Sequence, residues 1–265
     1  MDKTIELVNS VKDIHAMPTV IVKALNIMKK PTASMQELGD IVMFDQSLTI
    51  KFLALVNSAY YGFSQQISSI SIALSLLGMV KVKNIIVAVA MKPMMSNQGD
   101  KELWMHSMRV ACGCEYLANL TKVMDSDEAF ISGFVHDVGK IVLHMTDEKK
   151  YTKVIEAVDK GADILDVEKK LFDSDHVKTG SLLAKRWQLP ILLANTISYH
   201  HNPSLSSIPV PCNLVCFVDK LVQTVFNPDT IDKNFCSTLG IDSEDLEDLR
   251  NAILQKSQLM ISELA

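Results

Sequence analysis

The sequence has few of the turn-forming residues that β-rich folds require. It contains 10 glycines and 8 prolines among 265 residues, whereas these two residues together usually make up about 12% of a protein. A sandwich or barrel of many short strands needs more turn residues than this. Apolar residues instead recur at helical spacing, and strand alternation is hard to find. The sequence therefore predicts an all-α protein.

The sequence also lacks long apolar runs and an excess of positive charge. The longest purely apolar run, Ile85 to Met91, is too short to span a bilayer, and residues 1–6 do not resemble a signal peptide. The 26 Lys and Arg are outnumbered by 31 Asp and Glu, and they form no basic stripe. We therefore expect a cytoplasmic protein that binds neither membranes nor nucleic acids.

Cysteine is too sparse and too scattered for a disulfide framework or a structural zinc site. There are five, an odd number, and they lie in apolar segments. Such cysteines are typical of small buried hydrophobic residues in a reducing compartment.

A polar stretch from Ser96 to Asp100 indicates a boundary between two helical lobes. We predict a first lobe over residues 1–95, a second over 96–226, and a linker with a terminal helix over 227–265. Ser34 and Glu37 have the spacing of a capping box, which predicts a helix start. The aromatic-rich block of residues 57–64 predicts a packed loop.

Helical spacing places the remaining elements. It runs through residues 70–91 with an interruption at Gly78, and Pro93 is predicted to end it. The second lobe is predicted to contain helices over residues 101–123, 127–145, 148–160, 163–172, 175–188, 190–200 and 207–225. A terminal helix is predicted over residues 243–264.

Several histidines of the second lobe stand where a helix stripe would otherwise be apolar. His106 lies between Leu103 and Val110, and His176 continues into the stripe of Leu183. Asp219 interrupts an apolar stripe in the same way. We therefore expect these polar side chains to point into the protein.

Between these positions lies an adjacent His-Asp pair, His136 and Asp137, in the segment predicted as a single helix. Neighbouring helical positions diverge by about 100°. His136 could therefore bind one metal ion while Asp137, with two oxygens, bridges to a second. Lys140 follows one turn later, where its cation could meet a phosphate oxygen.

Taken singly, each histidine is more often a hydrogen-bonded core residue than a metal ligand. Taken together, the residues form an imidazole and carboxylate set that suits iron, manganese or zinc. The set comprises His106, His136, Asp137, His176, His200, His201 and Asp219. The sequence therefore predicts a site for one or two divalent transition metal ions.

The order of these residues resembles that of the HD superfamily of metal-dependent phosphohydrolases: a His, a His-Asp pair and a later Asp. It is also similar to the longer ligand series of the HD-GYP cyclic-dinucleotide phosphodiesterases. That resemblance adds Glu102, one turn before His106, as a further metal ligand. The residues after His201 lack the acidic residue and the Gly-Tyr-Pro of that subfamily, so its substrate specificity is not implied.

The first lobe points to a closer relative, the HDOD family of HD-related output domains. The segments similar to that family are Met17-Pro18, residues 45–49 (DQSLT), 56–62 (VNSAYYG), 67–70 (ISSI), Ala73 and 76–78 (LLG). Residues 103–107 (LWMHS), 136–140 (HDVGK), the helix of His176 and residues 199–203 (YHHNP) continue the likeness. The resemblance covers residues 15–225. It implies an all-helical protein of bacterial signalling whose second lobe is an HD-type bundle.

Two functions follow from the resemblance. The first is a signalling output protein that binds a signalling partner or a nucleotide-type ligand and keeps an intact metal site. The second is a metal-dependent phosphohydrolase acting on a nucleotide-type phosphoester, with Asp137 and Lys140 as catalytic residues. Other nucleophile schemes lack their motifs, since no Walker loop or Gly-x-Ser-x-Gly elbow occurs.

Overall fold

The structure is a computed structural model that describes residues 2–11, 21–23, 34–43, 46–96 and 101–264. These residues form helices joined by short connections and contain no strand, so the prediction of an all-α fold is confirmed. Within them, no helix combines the length and the apolar character needed to cross a bilayer. Apolar residues at helical spacing also predict a helix over residues 20–28, and most of that segment lies outside the described residues.

The helices of the first lobe are α1 (Lys3–Ser10), α2 (Met35–Met43), α3 (Gln46–Val56), α4 (Ile70–Leu77) and α5 (Met79–Ser96). Those of the second lobe are α6 (Lys101–Thr121), α7 (Ser126–Val135), α8 (Val138–Thr146), α9 (Glu148–Val158), α10 (Ile164–Phe172), α11 (His176–Arg186), α12 (Ile191–Tyr199) and α13 (Pro209–Leu221). After them come α14 (Lys233–Leu239) and α15 (Leu246–Leu264).

Side chains cap many of these helices, as the sequence pattern indicates. The predicted capping box forms, since Ser34 Oγ accepts from the Glu37 backbone N–H at 3.1 Å and the Glu37 carboxylate accepts from the Ser34 N–H at 3.2 Å. The side chains that accept from other helix starts belong to Asp2, Ser69, Asp125, Asp147, Asp163, Asp175 and Asp232. Each satisfies backbone donors that a helix start leaves unpaired.

Three helix predictions were wrong in detail. The predicted helix over 127–145 is two helices, α7 and α8. Pro93 does not end α5, which continues to Ser96, because a proline this close to the end of a helix removes only one intrahelical hydrogen bond. The segment predicted as a linker after residue 227 contains α14. Gly78 does separate α4 from α5, at a φ of 78° that glycine adopts without strain.

The two predicted lobes share one apolar core. Phe52 and Leu55 of the first lobe belong to the same buried cluster as Trp104 and Phe134 of the second. The Trp104 indole N–H donates to the Ala88 carbonyl of α5 at 3.2 Å. The lobe boundary therefore stays a prediction about sequence organisation, since the core runs across it.

Both ends of the chain also cross this boundary. Helix α1 packs against α8 and α11 of the second lobe, and α15 packs against α6 and α3. Thr4 Oγ1 lies 2.9 Å from Ser174 Oγ, and Arg186 donates to Asn9 at 2.7 Å. The helix bundle that positions the candidate site is therefore braced by both terminal helices.

The aromatic block of residues 57–64 is a packed loop, as predicted. Asn57 fixes it by donating to the Ile67 carbonyl at 2.9 Å and accepting from the Ile67 N–H at 2.7 Å. The Tyr60 hydroxyl donates to the Glu115 carboxylate of α6, and Lys81 donates to the same carboxylate at 2.9 Å. The rings of Tyr61 and Phe63 stack at 6.4 Å. These contacts join the loop to the second lobe.

Candidate metal centre

The His-Asp pair lies at a junction between two helices and not within one. Helix α7 ends at Val135 and α8 begins at Val138. Asp137 adopts φ −97° and ψ 14° between them, so the chain turns at the pair. Both side chains are buried. His136 Nε2 lies 3.1 Å from Asp137 Oδ2, so the turn directs the two side chains into the same space.

Two glycines permit this turn. A Cβ on Gly139 would lie 1.8 Å from the His176 carbonyl oxygen and 2.6 Å from the Gly180 nitrogen. A Cβ on Gly133 would lie 2.9 Å from the Val110 carbonyl oxygen. Real Cβ atoms do not approach backbone atoms this closely. Glycine therefore lets the beginning of α8 contact the beginning of α11, and α7 contact α6.

Four side chains from α6, the α7–α8 junction and α13 form what we call the first donor set: His106, His136, Asp137 and Asp219. His106 Nε2 lies 3.0 Å from Asp219 Oδ1 and 3.5 Å from Asp137 Oδ2. His136 Nε2 lies 3.9 Å from Asp219 Oδ1. The ligand atoms of His106, His136 and Asp137 are close enough to share one metal ion.

The second donor set consists of three imidazoles: His176 at the start of α11, and His200 and His201 just after α12. Their ligand atoms are also close enough for one ion. His176 Nε2 lies 3.4 Å from His200 Nε2 and 3.0 Å from His201 Nε2. His201 is exposed and the side chain of His106 is 21% exposed. One side chain of each set therefore reaches the protein surface.

Asp137 lies between the two sets and presents one oxygen to each. Its Oδ2 faces His106 and His136 of the first set. Its Oδ1 lies 3.5 Å from His176 Nε2 and 3.7 Å from His200 Nε2 of the second set. One carboxylate oxygen of Asp137 is therefore directed to each donor set, which is the arrangement that the predicted bridging role requires.

The tautomers of three histidines can be derived from the acceptors behind them. Nδ1 of His136 lies 2.7 Å from the Gly133 carbonyl oxygen. Nδ1 of His200 lies 3.1 Å from the carbonyl oxygen of Thr196. Nδ1 of His176 lies 2.7 Å from a carboxylate oxygen of Glu168. Because these oxygens only accept, Nδ1 donates in each case and the Nε2 lone pair of a neutral ring points into the centre.

The side chains of the centre consequently direct acceptor atoms toward one another. Nε2 of His136 and Oδ1 of Asp137 are buried and have no hydrogen-bond partner among the described residues. Unpaired buried acceptors are costly, and a cation between them removes the cost. The donor set and its unpaired atoms therefore fit a divalent transition metal ion.

The charges of the first set favour a cation. Burial raises the pKa of Asp137, but His136 and Lys140 more than offset this and hold the pKa well below its usual value. Burial likewise raises the pKa of Asp219, but the neighbouring His106 and His136 together lower it further than burial raises it. Both carboxylates are therefore ionised.

Two imidazoles of the second set, His200 and His201, have lowered pKa values. Burial and the neighbouring His201 hold the pKa of His200 well below its usual value. Burial and the neighbouring His176 lower the pKa of His201 to about 4. Neutral imidazole is the form that binds metal ions.

The sequence offered two further site residues, Lys140 and Glu102. Lys140 Nζ lies 2.5 Å from Asp137 Oδ2, so its cation is paired with the bridging carboxylate. Glu102 is not brought into the centre, because its side chain is 71% exposed and its carboxylate lies 3.5 Å from Arg109 Nη1. The first donor set is therefore described without Glu102.

Sequence reasoning missed Glu168. This residue of α10 is completely buried and holds His176 from behind. A signal was present, since Glu168 interrupts the apolar stripe of Ile164, Val167 and Leu171 in the way that Asp219 interrupts the stripe of α13.

Comparison with known proteins supports the fold. The HDOD domain family model matches residues 14–203. The chain belongs to the HDOD family. In this HDOD protein the matched region includes every residue of the two donor sets except Asp219.

Two solved structures share the fold over nearly the whole chain. An HDOD domain protein from Geobacter sulfurreducens is 22% identical with a TM-score of 0.83, over 98% of this chain and 97% of that chain. A candidate phosphohydrolase from Shewanella amazonensis is 21% identical with a TM-score of 0.77, over 99% and 98%. At these identities the likeness concerns the fold alone.

A curated relative is an uncharacterised protein of Treponema pallidum (strain Nichols). It is 25% identical over 201 residues. The match covers 74% of this chain and 39% of that protein. The HDOD chain therefore corresponds to well under half of this longer relative.

Proposed function

We propose that this HDOD protein is a bacterial signalling output protein whose second lobe binds one or two divalent transition metal ions, iron, manganese or zinc. The observation that carries the proposal is the position of Asp137, whose two oxygens face two separate donor sets. His106, His136 and Asp219 would hold one ion with Asp137. His176, His200 and His201 would hold the other.

HDOD family membership supports the signalling role. The continuous packing between the two predicted lobes supports a rigid signalling module. The core is continuous across the lobes, and Glu115 of α6 is bonded to Tyr60 and Lys81 of the first lobe. A change at the metal centre could therefore be transmitted to the first lobe through α6, which also carries His106. We expect a signalling partner or a nucleotide-type ligand to bind without turnover.

Metal analysis tests the metal-binding part of this proposal. Purified protein, reconstituted with iron, manganese or zinc, should contain one or two equivalents by plasma mass spectrometry. The double variant His136→Ala, Asp137→Ala should contain none. His144→Ala is a matched control, because His144 lies on α8 outside both sets and packs its ring against Tyr151 at 5.5 Å. Absence of metal from the parent protein after reconstitution would contradict the proposal.

A second candidate function is a metal-dependent phosphohydrolase acting on a nucleotide-type phosphoester. The specific observation in its favour is that one side chain of each donor set, His106 and His201, reaches the surface, and that the Lys140 ammonium lies beside Asp137. When bound, divalent ions would activate water and stabilise phosphate oxygens. Asp137 would hold the two sets together, and Lys140 would keep this carboxylate ionised and supply positive charge near the phosphate.

A phosphoester screen separates the two functions. Metal-loaded protein is incubated with bis(p-nitrophenyl) phosphate and with nucleotides, and His144→Ala and the double variant serve as positive and negative controls. Release of product by the parent and by His144→Ala, with none from the double variant, would establish a hydrolase. Binding of a nucleotide by calorimetry without product release would support the signalling role.

A further inference from the structure

Glu168 is a buried carboxylate that belongs to neither donor set. It lies on α10 with no exposed surface, among the apolar residues of that helix. Glutamate is almost never buried to this extent unless it is paired. Its position therefore requires an explanation from its contacts.

Both hydrogen bonds that Glu168 accepts from the described residues come from His176. Glu168 Oε2 accepts from the His176 backbone N–H at 2.8 Å and from the His176 Nδ1–H at 2.7 Å. The backbone N–H is among the donors at the start of α11 that have no partner within the helix. One carboxylate oxygen thus holds the backbone and the ring of the same residue, which sets the rotamer and the tautomer together.

The support behind His176 differs from that behind the other two oriented histidines. His136 and His200 donate to backbone carbonyls of their own helices, whereas His176 donates to a side chain from a different helix. A carboxylate is a stronger acceptor than a carbonyl and makes the imidazole a better ligand. The Oε1 atom of Glu168 has no hydrogen-bond partner among the described residues. The hydrogen bonds of this carboxylate are therefore those that Oε2 accepts from His176.

We propose that Glu168 is a positioning residue for the second donor set, which turns Nε2 of His176 toward Asp137 Oδ1 and so makes the second metal position competent. This inference rests on the proposed function, since it requires the second set to bind an ion. Helix α10 carries no metal ligand, but through Glu168 it would contribute to metal binding at the second position.

The test compares Glu168→Gln with Glu115→Gln. Glutamine keeps the size of the side chain and removes its charge. Glu115 is the matched control because it is also a buried carboxylate with side-chain partners, Lys81 and Tyr60, but lies outside the donor sets. Metal-free proteins are titrated with Zn²⁺ against a chromophoric chelator and with Co²⁺ by visible absorption. Circular dichroism and the thermal midpoint report folding.

We expect Glu168→Gln to weaken binding at the second position by about 10- to 100-fold and to leave the first position unchanged. Glu115→Gln should lower the thermal midpoint and leave both affinities unchanged. The same loss in a His106→Ala background, where only the second set is complete, assigns the effect to that set. If Glu168→Gln does not fold, Glu168→Asp replaces it, because the shorter side chain cannot make both contacts with His176.

The outcomes separate the two proposals. Two ions in the parent and unchanged affinities in a folded Glu168 variant would overturn the positioning role and leave the metal-binding function standing. Equal weakening by the Glu168 and Glu115 variants would also overturn it, since this would indicate a general loss of stability. No ion in the parent would overturn the proposed function itself and, with it, the role of Glu168.

Discussion

The two donor sets on either side of Asp137 differ in charge. The first contains Asp219 and Asp137 with two imidazoles, and both carboxylates are ionised. The second contains three imidazoles, and its carboxylate comes from the shared Asp137. The first set therefore attracts a cation through its own negative charge, whereas the second depends on the bridge and on Glu168 behind His176. We therefore expect the first position to have the higher affinity for a metal ion.

The largest effect is expected from Asp137→Asn, because this residue serves both sets. The amide keeps the shape of the side chain and loses the negative charge that the two positions share. Metal content measured by plasma mass spectrometry should fall from one or two equivalents to none. Retention of full metal content by a folded variant would show that Asp137 does not bridge.

Single-ligand variants should distinguish the sets. His106→Ala should remove the ion of the first set and His201→Ala that of the second, because each ring belongs to one set only. Each variant should therefore retain part of the parent's metal, and Co²⁺ spectra of the two should differ, since one position would keep carboxylate ligands and the other would be mainly imidazole. Identical spectra would indicate a single mixed site.

Gly139→Ala should disturb the second set through the backbone. The new Cβ would lie 1.8 Å from the His176 carbonyl oxygen, so the beginnings of α8 and α11 must separate. We expect a loss of about 3 kcal/mol in the free energy of unfolding, measured by urea denaturation of the metal-free protein, and weaker binding at the second position. A variant as stable as the parent would contradict the observed helix contact. Gly161→Ala is not a suitable control, because Gly161 has a φ of 91°.

The smallest effect on metal content is expected where Tyr60 of the first lobe contacts Glu115 of α6. Tyr60→Phe removes the hydroxyl that donates to Glu115 and leaves a buried acceptor with one partner fewer. The free energy of unfolding should fall by about 1–3 kcal/mol, while metal content stays at the parent value. Loss of metal from this variant would show that this contact and the centre are coupled more tightly than the separate contacts imply.

Much of the centre could be predicted because its residues interrupt apolar stripes. His106, His176 and Asp219 each stand where a helix would otherwise be apolar, so their inward direction follows from helical periodicity. The same reasoning applied to α10 would have found Glu168.

The chain direction at the His-Asp pair could not be predicted in the same way. The segment around His136 has helical spacing on both sides, and no proline marks the turn. The turn is set by contact with another helix, since Gly139 admits the backbone of α11, and that contact is invisible in local sequence. Glu102 illustrates the converse case: its spacing from His106 suits a ligand, but its side chain is directed to Arg109 and solvent.

The sequence by itself determined the helical class, most helix positions, the capping of helix starts and the identity of the polar residues that enter the interior. These follow from local periodicity and from backbone donors that neighbouring side chains can satisfy. The tertiary structure alone decided that the chain turns at the His-Asp pair, that Glu102 stays outside the centre, and that Glu168 contacts His176. These depend on which helices touch, because distances between side chains on α6, α8, α10, α11 and α13 are set by packing across the whole core.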